Sequence, residues 1–480
     1  MTLLGPVFHI LGFGYMGVAI MLLVPMGVDL VERNPDWVSF ALSSLVVGGF
    51  GLLLSTATGG YKLQQMSARH AFLITALSWL TLPLAGSLPF LGLGVGIIDA
   101  FFESVSGFTT TGSTILVGLD SMPPGLLVWR SMTQWIGGVG IIGMAILMLP
   151  QLRVGGMQLF RTESSEKGEK AFSRATQLGR WIIGVYSVLT VLCAIAFWIS
   201  GMSWFDAINH AMTTLSSGGF STHDASFDYF QNQSTIWVGI IFMIFSGLPF
   251  VLLIEGARGN VSALFRDPQV RVFLGLLLVC SIGIAFYLGH NNEYTIGTAF
   301  AESAFVVTSI VTTTGFGLGD YTAWGAPMVG IIFVLTFCGA CTGSTTGGIK
   351  TFRFIVFFAS VSAHLKRMIR PDRVVSLHYG DSKITPDLGF SVLAFLVAYL
   401  AVTGLVTVIL TSMGLDLVTA VSSAATALGN VGPGLGDQVG PVGTFAEIPE
   451  AAKLVLAFSM LLGRLEIFTV LILLEPEFWS

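Results

Sequence analysis

The stretch VTTTGFGLGD, residues 311–320, decides the fold, because three shorter versions of it recur along the chain. Each has two hydroxyl, amide or apolar residues followed by a glycine at the third position: TTGST at 110–114, SSGGF at 216–220 and NVGPG at 430–434. Their central glycines, taken as Gly112, Gly218, Gly315 and Gly432, are 106, 97 and 117 residues apart. Recurrence at such intervals predicts four copies of one structural unit.

The composition predicts an integral membrane protein whose environment is a lipid bilayer. Of 480 residues, 53% are hydrophobic and 10% are charged, and the mean hydropathy is +0.82. Soluble domains carry roughly 25% charged residues, so these charges are too few to solvate a surface of this size. The net charge of −5 gives no basic footprint, and no nucleic-acid partner is expected.

Ten apolar segments approach the length of about 20 residues that a helix needs to cross the hydrocarbon. They are 6–28, 38–57, 71–92, 126–149, 181–200, 235–254, 272–289, 327–363 (interrupted), 388–413 and 451–474. Four semi-polar stretches between them are too short and too polar to cross: 99–120, 206–224, 303–320 and 419–437. These stretches predict re-entrant segments, which membranes tolerate only where protein or a water-filled cavity shields the backbone.

Lysine and arginine set the expected orientation. Of the 22 basic residues, 18 fall in four intervals: 58–70, 153–180, 258–271 and 350–383. Strict alternation of ten spans places all four intervals on one face, which the positive-inside rule makes cytoplasmic. Both termini are then inside and the four semi-polar stretches open outward.

The predicted fold is an all-α integral membrane protein in which each repeat reads span, pore helix, filter loop, span. Four such repeats predict one channel-like pore, and two further spans precede them. The predicted units are a two-span region at 1–64 and pore repeats at 65–164, 165–268, 269–375 and 376–480, the third with an intramembrane gate loop.

Glycine at these loops has a chemical reason. A dehydrated cation needs oxygens in place of water, and successive backbone carbonyls supply them only in conformations that glycine opens. Potassium channels use four copies of Thr-Val-Gly-Tyr-Gly, which 313–317 nearly matches. The predicted ion-binding residues, with potassium at the carbonyls, are Thr110, Thr111, Gly112, Ser216, Ser217, Gly218, Thr313, Thr314, Gly315, Asn430, Val431 and Gly432.

An acidic residue follows each loop: Asp120, Asp224, Asp320 and Asp437. Four carboxylates at one outer mouth would concentrate cations there. The alternative is that they are ordinary turn aspartates, because Asp favours turns for its own hydrogen bonding.

The third repeat's second span is interrupted, and this interruption predicts a gate. Gly339, Gly343, Gly347 and Gly348 lie among the hydroxyls of Ser344, Thr345 and Thr346, a composition that cannot hold a stable membrane helix. Arg464 lies well inside the last span, so it is expected to face the pore below the filter. The alternatives are a packed helix break and, for Arg464, a structural ion pair with an unidentified acid; Glu466 points to another face.

The combined motifs resemble the Trk/Ktr/HKT superfamily of potassium transporters, and most closely its bacterial TrkH branch. They are SGFTTTGST (106–114), LSSGGFSTHD (215–224), TTTGFG (312–317), GNVGPG (429–434), GSTTGGIK (343–350) and GRLEIFT (463–469). The resemblance implies a single-chain pseudo-tetramer in the bacterial inner membrane, paired into a homodimer and regulated by a cytosolic, TrkA-like nucleotide-binding subunit. Glycine at Gly112, where related plant proteins with serine carry sodium, favours potassium. One departure is Ser217, where the family pattern leads us to expect threonine.

Other functions remain as alternatives. Sodium or mixed-cation transport is compatible with the same architecture, and both a passive channel and an ion-coupled symporter fit the motifs. A solute carrier with inverted repeats would alternate the orientation of its units, whereas these four point the same way. An enzyme is not expected, since no cluster of catalytic groups or metal ligands stands out, and no cofactor is predicted.

Overall fold

The computed structural model describes residues 4–59, 67–148, 169–291, 295–372, 375–380 and 382–479. These residues are mainly helical, which confirms the predicted fold class. The predicted boundaries at 64/65 and 164/165 lie outside the described residues, as do the basic residues Lys62, Arg153, Arg161, Lys167 and Arg373.

The N-terminal region is a helical hairpin packed against the first repeat. It comprises α1 (Leu4–Met21), α2 (Leu23–Val31) and α3 (Trp37–Ala57). Asp29 near the end of α2 is fully buried, and one carboxylate oxygen accepts the Gly125 N–H at 2.7 Å. Gly125 belongs to the first turn of a later helix, whose N-terminus attracts negative charge, so this contact fixes the hairpin to the first repeat.

Four units of similar helix order follow. Unit 1 has α4 (Ala68–Gly86), α5 (Leu88–Gly92), α6 (Ile97–Phe108) and α7 (Pro124–Met148); unit 2 has α8 (Glu169–Ile199), α9 (Trp204–Leu215), α10 (Gln233–Gly247), α11 (Phe250–Ala257) and α12 (Ser262–Arg266). Unit 3 has α13 (Pro268–Asn291), α14 (Ile296–Val311), α15 (Ala326–Thr336) and α16 (Thr351–Ile369); unit 4 has α17 (Pro386–Ser412), α18 (Leu417–Gly429), α19 (Glu450–Arg464), α20 (Phe468–Leu474) and α21 (Pro476–Trp479).

The membrane spans follow the predicted segments. Within the described residues, six helices are long and apolar enough to cross a membrane, and two bent pairs raise this number to eight. The two remaining predicted spans correspond to α7 and to the interrupted pair α15 and α16.

One short helix in each unit occupies a predicted semi-polar stretch: α6, α9, α14 and α18. Three of them begin at a residue whose side chain accepts a backbone N–H in the first turn, namely Ser203, Thr295 and Asp416. Such caps satisfy donors that the helix leaves free, which allows a short helix to start sharply.

Two of the predicted spans are bent rather than straight. Segment 235–254 bends by 105° between α10 and α11, and segment 451–474 bends by 103° between α19 and α20. At the first bend, Pro249 holds Leu248 in an extended conformation, as expected for a residue before proline. At the second bend, Glu466 and Ile467 both have positive φ, which no helix accommodates.

Two small sheets add to the helices. β1 (Cys338–Gly339) pairs in parallel with β2 (Ile349–Lys350) and closes the interruption between α15 and α16. β3 (Leu377–Tyr379) pairs antiparallel with β4 (Ser382–Ile384), with Leu377 opposite Ile384. Sequence patterning misses strands of two or three residues because they carry no measurable alternation.

Candidate functional site

The four re-entrant helices end in the same backbone motif. A residue just after the helix is left-handed in every unit: Thr110 (φ 53°), Ser217 (51°), Thr313 (54°) and Asn430 (52°). It is the second residue after the helix in units 1 to 3 and the first in unit 4. The N–H of the next residue then donates to the carbonyl oxygen five residues earlier in the chain. The four bonds run from Thr111 to Ser106, Gly218 to Thr213, Thr314 to Ser309 and Val431 to Thr426. These are the bonds of a Schellman helix end, made four times over. We call residues 110–114, 217–221, 313–317 and 430–434 glycine loops 1, 2, 3 and 4, respectively.

This motif corrects the register of glycine loop 2. The glycine two residues after the left-handed residue has positive φ in each loop: Gly112 (84°), Gly219 (78°), Gly315 (76°) and Gly432 (114°). The predicted central glycine, Gly218, is therefore displaced by one position, and Ser216 corresponds to the helix-end residue before each loop. With Gly219 aligned, glycine loop 2 reads Ser217-Gly218-Gly219, and the expected threonine position is occupied by glycine.

The four glycine loops meet in a closed ring. A Cβ added at Gly112 would overlap the carbonyl oxygen of Gly218. A Cβ at Gly219 would overlap the carbonyl oxygen of Thr314, and a Cβ at Gly315 would overlap that of Val431. The ring closes because a Cβ on Gly432 would lie 2.9 Å from the Thr111 carbonyl oxygen. In each contact, the carbonyl before one glycine lies against the glycine of a neighbouring loop. Close approach of this kind excludes any side chain at these four positions.

A cavity of about 250 Å³ opens on one side of this ring, towards the loops that the charge pattern predicts to be outside. Its lining includes all four positive-φ glycines, together with Phe220, Ser221, His223 and Asp224. The ring therefore forms the floor of a vestibule.

The predicted ring of four acids does not line this vestibule. Of the four, only Asp224 is a lining residue, and it accepts the N–H groups of Gly118 and Leu119. Asp320 accepts the N–H of Thr322 at 2.9 Å as a turn residue, and Asp437 is exposed. The turn alternative describes these acids better than a shared cation-concentrating ring does.

Asp120 instead belongs to a charged cluster around His223. The imidazole Nδ1 lies 2.5 Å from an Asp120 carboxylate oxygen, Nε2 lies 3.3 Å from Asp206, and the ring stacks on Tyr229. Partial burial opposes protonation of His223, but the hydrogen bonds and charges of the two carboxylates outweigh it and raise the histidine pKa. The hydrogen bond from His223 in turn lowers the pKa of Asp120.

The stability of this cluster should depend on pH. Because the folded state raises the pKa of His223, its ion pairs stabilise the protein fully below the unfolded value of about 6.5 and are lost as pH rises through the folded value. The melting temperature should therefore fall from pH 6 to pH 9 more steeply in the wild type than in His223→Gln, measured by thermal unfolding in detergent. His378→Gln, at an exposed histidine, should keep the wild-type slope. Equal slopes for His223→Gln and wild type would contradict the role of the cluster.

A buried ion pair that sequence reasoning missed supports glycine loops 1 and 2. Arg130 and Glu103 are 2.8 Å apart, and their side chains are 2% and 0% exposed. The guanidinium also donates to the Ser221 carbonyl at 2.8 Å and lies over the Phe220 ring at 4.1 Å, while Glu103 accepts the Ile115 N–H. The pair thus ties the first re-entrant helix to both loops.

Removing one member of this pair should destabilise the whole protein. Glu103→Gln leaves Arg130 as an uncompensated buried charge, and breaking such a pair costs about 3–5 kcal/mol. Thermal unfolding of purified protein should show a large fall in melting temperature. The double variant Glu103→Gln/Arg130→Met should recover part of it, since the unpaired charge is gone. A single variant that melts like the wild type would rule out this structural role.

Gln134 holds glycine loop 2 in register. Its side-chain amide donates to the Gly218 carbonyl at 2.6 Å and accepts the Phe220 N–H at 3.0 Å. In glycine loop 4 the Asn430 amide plays a comparable part, donating to Thr111 Oγ1 and to the Met460 carbonyl.

The predicted gate residues other than Arg464 lie in one loop between α15 and α16, which we call the intramembrane loop (residues 337–350). Its Gly343 and Gly348 have positive φ, and its centre is buried, with Thr345 0% and Thr346 1% exposed. Ser344 Oγ lies 2.8 Å from Thr346 Oγ1, and Gly339 lies in β1. The irregular backbone predicted for 339–348 is therefore present.

The intramembrane loop packs against the C-terminal ends of the short helices that precede the glycine loops. Thr345 Oγ1 donates to the Leu215 carbonyl at 3.0 Å and accepts from Ser217 Oγ at 3.1 Å. The Gly347 N–H donates to Thr313 Oγ1 at 2.7 Å, and a Cβ at Gly347 would overlap the Gly429 carbonyl oxygen. The loop thus contacts units 2, 3 and 4 on the side of the ring opposite the vestibule.

Arg464 contacts this loop directly. It is 2% exposed, and its guanidinium donates to the Thr345 carbonyl at 3.0 Å and to the Gly137 carbonyl at 3.5 Å. Among the described residues no carboxylate forms a salt bridge with it, which argues against the ion-pair alternative. Glu466 pairs instead with Arg353, at 2.7 Å.

Four short helices whose loops close one ring, with a cavity on one side and the intramembrane loop packed against the helix ends, define a helical membrane protein of the pore-loop class. The sequence model of the TrkH family, described as a cation transport protein, matches residues 43–479. This chain belongs to the TrkH family.

Relatives agree over the full length. The chain is 42% identical to the Trk system potassium uptake protein TrkI of Halomonas elongata, over 99% of this chain and 96% of that protein. It is 36% identical to the Trk system potassium uptake protein TrkH of Escherichia coli, over 95% of each. The crystal structure of the potassium transporter TrkH from Vibrio parahaemolyticus superposes with a TM-score of 0.92 at 34% identity, covering 100% of both chains.

Proposed function

We propose that this chain carries potassium into a bacterial cell across the inner membrane, through a selectivity filter made of glycine loops 1 to 4. The observation that carries the proposal is the closed ring of contacts between each glycine and the carbonyl of a neighbouring loop. The names of the full-length relatives, which are potassium uptake proteins, support potassium as the ion.

The filter oxygens are the carbonyls that precede the four glycines: Thr111, Gly218, Thr314 and Val431. Each is a neutral oxygen fixed by its helix end, so it replaces water around a dehydrated cation without adding a trapping charge. Because the helix ends repeat the same hydrogen bonds, the four oxygens are held at corresponding depths.

The intramembrane loop closes the path on the cytoplasmic side of the filter, and Arg464 holds it closed. The loop bonds to the bases of glycine loops 2 and 3 and lies against the base of glycine loop 4. The guanidinium bonds to its centre at the Thr345 carbonyl. A fixed positive charge there also repels a cation leaving the filter. Opening requires the loop to leave these partners.

The working assembly is a homodimer in the bilayer with both termini cytoplasmic, regulated by a cytosolic, TrkA-like nucleotide-binding subunit. The basic face supports this docking side: Arg258, Arg266, Lys366 and Arg367 lie on predicted cytoplasmic connections. An anionic surface on the regulatory subunit would complement it.

Ion flux in vesicles tests the proposed function. Purified protein reconstituted in proteoliposomes should take up rubidium, a potassium surrogate, well above empty vesicles, and potassium should compete better than sodium. Uptake of sodium at an equal or higher rate would support the mixed-cation alternative. Absence of any monovalent-cation uptake by folded protein, with or without its regulatory subunit, would contradict the proposal.

A further inference from the structure

Lys350 is a buried cation to which the proposed function assigns no role. The residue is 9% exposed, and its ammonium donates to the Thr346 carbonyl oxygen and, at 3.1 Å, to Thr346 Oγ1. In the described parts of the chain no carboxylate pairs with it. An unpaired charge inside a membrane protein is costly, so these neutral oxygens must compensate it.

The oxygens around this ammonium resemble the ligands of a monovalent cation. Thr346 offers a carbonyl and a hydroxyl, and Ser344 Oγ lies 2.8 Å from that hydroxyl. The preceding carbonyl, that of Thr345, already accepts from Arg464. Two successive carbonyls of the intramembrane loop are therefore each occupied by a positive side chain.

The Thr346 carbonyl and hydroxyl oxygens lie next to the proposed filter, on its cytoplasmic side. The next residue, Gly347, donates its N–H to Thr313 Oγ1 at 2.7 Å, and Thr313 belongs to glycine loop 3. On the other side, Thr345 contacts Ser217 of glycine loop 2. Thr346 therefore lies between the residues that contact glycine loops 2 and 3.

We propose that the Thr346 carbonyl and hydroxyl form a monovalent-cation site below the filter, and that the Lys350 ammonium fills this site in the closed loop. The inference deepens the proposed function and rests on it. An ammonium group and a potassium ion are close in size and both bind carbonyl oxygens, so one can replace the other. Because Lys350 is tethered four residues away, its effective concentration at the site is high.

This arrangement keeps the Thr346 oxygens occupied when the loop opens. When the lysine withdraws, the freed oxygens accept the permeating ion, so one positive charge replaces another and no buried acceptor is left empty. When the ion leaves, the ammonium returns. Lys350 is therefore a positioning residue that competes with the transported ion.

Thermal unfolding in different salts tests the site without measuring transport. In Lys350→Met the site lacks its tethered cation, so potassium should bind there and stabilise the protein. Replacing N-methyl-D-glucamine with potassium should raise the melting temperature of this variant by about 3 °C more than it raises that of the wild type. Sodium should give a smaller rise. Lys350→Ala, which leaves room for a hydrated ion, provides the same test if the methionine variant does not fold.

The matched control is Lys453→Met, which removes another buried lysine, one that pairs with Asp99 at 2.6 Å on the outer side. Its potassium-dependent rise should equal that of the wild type. If Lys350 variants show only the wild-type rise, the proposed site is wrong, whereas rubidium uptake by the wild type would still support the proposed function. If the wild type carries no cation, the proposed function fails whatever the melting temperatures are.

Discussion

Replacing Gly315 with alanine should reduce potassium uptake by about tenfold or more. The residue has φ of 76°, and its Cβ would overlap the Val431 carbonyl oxygen and lie 2.9 Å from Pro433 Cδ. Strained backbone of this kind costs about 1–3 kcal/mol, and each 1.4 kcal/mol is a factor of ten in the population of the ion-binding geometry. The measurement is initial rubidium uptake in proteoliposomes, with sodium uptake measured in parallel.

Gly330→Ala is the matched control for this substitution. It lies in α15 of the same unit, and a Cβ there meets no atom within 4 Å. Its uptake should equal that of the wild type, because alanine favours a helix more than glycine does. If Gly315→Ala folds and transports potassium with unchanged rate and selectivity, glycine loop 3 is not part of a filter.

Replacing Arg464 with alanine should raise potassium flux about tenfold and make it less dependent on the regulatory subunit. The change removes the charge-assisted bond to the Thr345 carbonyl, and such bonds contribute about 1.5–3 kcal/mol. If the closed loop loses that stabilisation, the open population grows by the corresponding factor. Flux in proteoliposomes with and without the regulatory subunit is the measurement.

Arg464→Lys keeps the charge and should show an intermediate flux, because a single ammonium cannot reproduce the two-sided contacts of the guanidinium. Both variants must elute as folded protein in size-exclusion chromatography. Unchanged flux in a folded alanine variant would show that Arg464 does not hold the loop. Loss of folding in both would assign the residue a structural role instead.

The architecture was predictable from the sequence because two independent signals coincide. Hydropathy marks the spans and the semi-polar stretches, while the recurring glycines mark one point in each repeat. The structure has a short helix at each stretch and a positive-φ glycine after it.

The register of glycine loop 2 was not predicted correctly, because two glycines follow Ser217 and either could be central. A signal was present: Phe220 follows Gly219 as Phe316 follows Gly315. Aligning the phenylalanines would have selected Gly219. The choice is decided physically by the Schellman bonds, which count from the end of α9.

The contacts that support the glycine loops could not be predicted from the sequence, for a different reason. Glu103 and Arg130 are 27 residues apart, and nothing in their spacing shows that they meet. Their only signal is that each is a charge within an otherwise apolar stretch, where an ionisable residue is expected to have a partner. The sequence also gives no signal for the bend before α20, because its positive-φ residues are Glu466 and Ile467 rather than glycines.

Anomalous diffraction from crystals grown in rubidium would locate the ions themselves. The four glycine loops should enclose rubidium peaks on one common axis, level with the carbonyl oxygens of Thr111, Gly218, Thr314 and Val431. Crystals grown in sodium and then soaked in rubidium should show the same positions. Rubidium peaks elsewhere in the protein, with none between the four loops, would contradict the assignment of this ring as the filter.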